Sequence, residues 1–256
     1  MSKEHFWPDW LNPYFPKSSN DKHGRAFYSS PAKSPLVLKR KIERPGNLIT
    51  KKFRVVCETC NNGWMSRLEE KVKPVLLSII KNKCVTINEE TLSLLSRWIV
   101  MKVIVGEQSE DGTQVTPESD RKMFYESSTI PDYFRVYISR HKTQHKTAYL
   151  RHAVTLALSL TGPIPPLGGM KKNTQTVGIV IGSLFVFVTA SRVDSFELEN
   201  RLNLKWLRRI YPNTGGEVQW DTVAELGERE ISAVLWALND LTLLPNIKYG
   251  GPLPSH

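Results

Sequence analysis

Cysteine is scarce in this 256-residue chain: three residues, too few for a disulfide framework. Two of them, Cys57 and Cys60, are separated by two residues. In a reducing compartment that spacing points to metal or redox chemistry before a structural bridge. The third, Cys84, reads as a buried apolar residue. Long apolar runs are also missing. No window reaches the roughly 18 uninterrupted apolar residues of a membrane span, and the opening "MSKEHFWPDW" lacks the basic start and apolar stretch of a signal peptide. The expectation is a cytoplasmic protein that does not enter a membrane.

Acidic residues are outnumbered, 25 Asp and Glu against 35 Lys and Arg, for a formal charge of +10. From Met1 to Lys73 there are 15 basic and 7 acidic residues, so 15 − 7 = +8 of that charge sits in the first third. Clustered Lys and Arg gain affinity for polyanions by releasing phosphate counterions, which suggests a nucleic-acid partner for the N-terminal part. The alternative is a solvated basic loop. Apolar residues make up 40% and charged residues 23% of the chain, ordinary for one large or two modest globular domains.

Residues 12 to 46, rich in Pro, Ser, Lys and Asn, show no sustained period and read as a long connecting segment around "LKRKIERPG". A short strand over 53–56 leads into the cysteine turn. From Trp64 the spacing of Met65, Leu68, Val72, Val75, Leu76, Ile79 and Ile80 predicts a helix, which Pro74 should kink or restart. Asn88 can cap a second helix carrying Leu92, Leu95, Ile99 and Val103 on one face and ending near Gly106. A third begins at Thr116. "YFRVYISRH", "AYLRHAVTLALS" and "TQTVGIVIGSLFVFVTAS" read as strands, the last folded at Gly182-Ser183, and "GEREISAVLWALNDLT" as a final helix. The tail "GGPLPSH" should fray.

Chemistry concentrates in two pieces, "KEHFWP" at residues 3–8 and "CETCNNGW" at residues 57–64. Glu4 can hold a divalent cation beside His5, an imidazole able to take a proton from water. Asn61 and Asn62, at the start of a helix, offer neutral oxygen ligands. Hard oxygen donors favour Mg²⁺ or Mn²⁺, and these are the parts of single-metal phosphodiester hydrolysis.

The order Glu-His-x-x-Pro, strand, Cys-x-x-Cys-Asn, helix resembles the HNH endonucleases of the ββα-metal type. "KEHFWPDWL" with "VVCETCNNGWMSRLEEKVKP" is similar to a family of bacterial HNH-type proteins with a short nuclease module ahead of an uncharacterised domain, and "RWIVMKV" and "RRIYPN" extend the likeness over most of the chain. The element pattern reads as an α+β protein with a small N-terminal module at residues 1–84 and a mixed helix and antiparallel-sheet domain at residues 85–256, and the resemblance makes the first an HNH-like module with its basic linker. The same resemblance makes His5 the general base, Glu4 a metal ligand, Asn61 the last metal ligand with Asn62 as its alternative, and Asn47 the asparagine that orients the histidine. Cys57 and Cys60 take the place of two ligands of a structural Zn²⁺ knuckle, and Lys39, Arg40, Lys41, Lys51, Lys52 and Arg54 become candidates for DNA contact.

In that family another Cys-x-x-Cys precedes the Glu-His pair shortly before it. Here Glu4 is only three residues from Met1, so the expectation is an N-terminally truncated module, short of two zinc ligands and in that form active or shortened into inactivity. The rival expectation is a non-catalytic nucleic-acid-binding or assembly protein, and a third is a redox protein using Cys57 and Cys60. His141, His145 and His152 suggest a basic hairpin edge before a metal site. Trp98, Trp206, Trp220 and Trp236 read as core, while Trp7, Trp10 and Trp64 would brace the module.

Overall fold

The computed structural model describes residues 2–15, 22–29, 37–45, 52–109, 112–142, 147–157, 171–193, 198–202, 204–213, 215–242 and 248–250. The fold is α+β. The N-terminal third holds two antiparallel strand pairs, β1 (Ser2–His5) with β4 (Lys52–Val56) and β2 (Lys22–Ser29) with β3 (Val37–Pro45). The ribbon β2–β3 corrects the expectation of a segment without regular structure. Few of its residues are apolar, so it carries no hydrophobic alternation to announce it, and pairing along almost the whole of both strands defines it.

Cys57 follows β4 and caps a three-residue helix, α1 (Glu58–Cys60), which passes through a widened turn at Asn61–Met65 into α2 (Ser66–Ile80). The helical path breaks at Gly63 (φ −99°, ψ −109°) and not at Pro74, through which α2 runs as one helix. Leu68, Val72, Leu76 and Ile79 on α2 are buried at helical spacing, each contributing about 1.5–3 kcal/mol of apolar transfer. After β5 (Thr86–Ile87), Asn88 Oδ1 accepts from the Thr91 N–H at 2.9 Å and starts α3 (Glu89–Glu107), as its sequence predicts. The fully buried Lys102 of α3 reaches Glu69 Oε1 at 2.6 Å and ties α3 to α2. Helix α4 (Glu118–Ser127) follows.

A seven-stranded sheet forms the rest: β6 (Phe134–His141), β7 (Thr147–Ala157), β8 (Thr174–Ile181), β9 (Leu184–Ser191), β10 (Arg208–Tyr211), β12 (Glu225–Leu226) and β13 (Lys248–Gly250). Its order is β10-β6-β9-β8-β7-β13, antiparallel throughout, with β12 parallel to β6. A small pair, β5 with β11 (Val218–Gln219), lies apart from it. Both faces of the sheet are covered, which is why β8 and β9 read as continuous apolar runs. Val136, Val177, Ile179, Val186 and Val188 join the helices α2 and α3 in one cluster. The alternate residues Tyr137, Val180, Phe185 and Phe187 join Leu198, Leu202 and α5 (Glu228–Thr242) in the other. The larger cluster runs from Phe6 to Val223 and so crosses residue 84.

Several single-residue expectations fail. Cys84 is exposed, in the turn between α2 and β5 beside the Asp221 carboxylate, which pushes its thiol pKa up. His141 is buried at 5% exposure and so does not edge a surface hairpin, His152 is half-buried on β7, and His145 lies outside the described residues. Trp98 and Trp220 are core residues, but Trp206 is 37% exposed, with Lys205 Nζ 4.6 Å from its ring centre. Among the described residues no helix is long and apolar enough to cross a membrane.

Candidate functional site

The site begins with the strand pair β1–β4. Its register sets Ser2 opposite Val56, Glu4 opposite Phe53 and His5 opposite Lys52, with an irregularity between Ser2 and Glu4. The Glu4-His5 dipeptide therefore adjoins the strand that feeds the cysteine turn. It pairs with the far end of that strand, about 13 Å along it from Val56. Immediately after His5 the chain is anchored. Phe6, Trp7 and Pro8 are buried, and the Phe6 ring stands edge-on to Trp7 (4.9 Å) and to Tyr149 of β7 (4.8 Å). Trp7 thus braces this segment as expected, and its burial removes it as a surface for stacking on bases.

At the other end of β4 the turn brings Cys57, Cys60 and Asn61 together. Cys57 Sγ lies 2.6 Å from Cys60 Sγ and accepts from the Cys60 backbone N–H at 3.2 Å, while the Asn61 N–H donates to Cys57 O at 3.0 Å. The donations from Cys60 lower the pKa of the exposed Cys57, and burial raises that of Cys60. Asn61 is half-buried and Asn62 exposed at the head of the helical run, where an amide oxygen can face a cation.

The thiol pair answers only in part to a structural zinc. Tetrahedral Zn²⁺ takes four ligands with Zn–S bonds near 2.3 Å, which holds two sulfurs about 3.8 Å apart. Here the sulfurs stand at 2.6 Å, and among the described residues no three His, Cys, Asp or Glu side chains gather into a metal-binding group. The residues described do not complete that site. For Mg²⁺ or Mn²⁺ the donor types are suitable, carboxylate on Glu4 and amide oxygen on Asn61.

The candidate DNA-contacting residues fall on strands. Lys39, Arg40 and Lys41 belong to β3, with Lys41 exposed, and Lys52 and Arg54 to β4. Asn47 and Lys51 lie outside the described residues. One feature escaped the sequence reading: a cavity of about 290 Å³ beside Cys60, walled by segments distant in sequence. Comparison with protein-family models, with curated proteins and with solved structures finds no match to this chain.

Proposed function

We propose that this chain is an HNH-like, metal-dependent endonuclease of the cytoplasm that hydrolyses DNA phosphodiester bonds. The observation that supports it most is the succession of elements: a strand ending in Glu4-His5, its antiparallel partner β4, and a helix capped by Cys57 that carries Asn61 in its first turn. His5 takes the proton of the attacking water. Buried Phe6 and Trp7 fix the chain on which His5 is carried, and Asn47 is assigned to orient its ring. Glu4 and Asn61 supply oxygen ligands, with Asn62 next in line. A Mg²⁺ or Mn²⁺ ion, were Glu4 and Asn61 to hold it, would neutralise charge on the scissile phosphate and on the departing oxygen. The basic strands β3 and β4 supply phosphate contacts through Lys39, Arg40, Lys41, Lys52 and Arg54.

The test is His5→Ala. Loss of plasmid nicking by about a hundredfold or more, with DNA affinity unchanged, is expected for a general base. Equal nicking by the variant removes His5 from that role. The +8 charge of the first 73 residues also favours a second reading, a non-catalytic DNA-binding protein. That reading expects salt-dependent binding without metal-dependent turnover.

A further inference from the structure

The cavity beside the cysteine turn lies where four segments converge: the end of β4, the Asn61–Met65 turn, the C-terminal half of α3, and α4. Its walls are aromatic and thioether, with Trp64, Met65, Met101 and Phe124 among them, and it is partly open to solvent. Those walls are held. Trp64 stands edge-on to Phe124 at 5.6 Å and to Tyr125 at 6.1 Å, and the backbone break at Gly63 sets it apart from the line of α2. About 290 Å³ suits one or two fused rings, and flat faces with two methionines accept flat apolar ligands.

Among the polar groups of the cavity are donors without a partner. Among the described residues Gln108 Nε2, shut off from solvent, has no hydrogen-bond partner, and Trp64 Nε1 makes no aligned hydrogen bond, although it lies near enough to Cys60 to favour that residue's thiolate. Arg121 donates to Thr116 O at 2.7 Å through one nitrogen, and its five N–H groups leave capacity for a carboxylate. Among the described residues no Asp or Glu lines the space. The acids nearest in sequence are engaged elsewhere: Glu107 accepts from Val115, Thr116 and Gln175, and Asp120 from Tyr133 and Ser119. A buried donor without an acceptor is a standing cost that a ligand oxygen would relieve.

We propose that this cavity binds a small aromatic carboxylate, its ring between Trp64, Met101 and Phe124 and its carboxylate received by Arg121 and Gln108. This site is independent of the nuclease reading.

The experiment is calorimetric titration of the full chain with 2-naphthoate and with its neutral counterpart 2-naphthamide. Saturable one-to-one binding of the carboxylate, at least tenfold tighter than the amide, is expected. Gln108→Leu should weaken naphthoate about tenfold without lowering the melting temperature of the free protein, because it removes an unpaired donor. Met101→Trp should fill the space and abolish binding. The proposal is overturned by absence of saturable naphthoate binding, by equal affinity for the amide, which would mark a merely apolar hollow, or by unchanged affinity in a folded Gln108→Leu protein. Should Met101→Trp not fold, the ratio of carboxylate to amide affinity on the unaltered protein still decides.

Discussion

Glu107 is fully buried on α3 and survives there because donors meet both of its oxygens. Oε2 accepts from the Val115 and Thr116 backbone N–H groups at 3.1 and 2.9 Å, and Oε1 from Thr116 Oγ1 at 2.7 Å and from Gln175 Nε2. Glu107→Gln turns one of those acceptors into a donor facing donors, and a loss of about 2–3 kcal/mol in urea unfolding is expected. His152 makes the opposite demand. Burial first, then the charges of Lys172 and Arg151, hold its pKa down to about 4 from the usual 6.5. Between those two values the unfolded chain binds the proton and the folded chain does not, so stability falls as pH drops from about 6.5 to about 4, by roughly 2 kcal/mol. His152→Leu should flatten that part of the stability profile, as urea midpoints at pH 7 and pH 4.5 would show. Neither environment was legible in the sequence: the donors that complete Glu107 come from the loop at Val115 and Thr116 and from β8, and the surroundings of His152 depend on how β7 is packed. Cys84 and Trp206 misled for the same reason in reverse: apolar neighbours along the chain, but positions in turns that the packing leaves outside.

The elements that the sequence announced are those with a strong period. Helices α2 and α3 carry apolar residues every three or four positions, and Asn88 is a cap readable in advance. The hairpin β8–β9 is marked by Gly182, whose φ of +57° suits a glycine. Only the structure shows the second reason for that residue. A Cβ there would lie 2.7 Å from Ile80 O and 2.3 Å from Ile80 Cγ2, at the end of α2, and the next N–H, of Ser183, donates to Ile80 O at 3.1 Å. Gly182→Ala should therefore cost roughly 2 kcal/mol or more, measured by thermal or urea unfolding, since neither the backbone angle nor the backbone oxygen can yield cheaply. The ribbon β2–β3 escaped notice because its positions are filled by Lys, Arg and Pro as often as by apolar residues, and the cavity escaped because no single element contains it.

At the scale of the whole molecule, one apolar cluster joins Phe6, Trp7, Leu11 and Phe15 to the helices and to the large sheet. Trp7 lies at its N-terminal end with 0% exposure, so Trp7→Ala should destabilise the protein by about 3–5 kcal/mol. Helical circular dichroism and tryptophan fluorescence should then report the same lowered transition, whereas two separate transitions would show that the N-terminal segment unfolds alone. That shared core anchors the chain directly after the Glu4-His5 strand, whose pairing with β4 ahead of the cysteine turn supports the proposal that the chain cuts DNA. The most direct test is nicking of supercoiled plasmid by the unaltered protein across a titration of Mg²⁺ or Mn²⁺, with a chelator control. Relaxed circles that increase with metal and vanish with the chelator are expected; DNA binding with no cutting at any metal concentration would contradict the nuclease assignment.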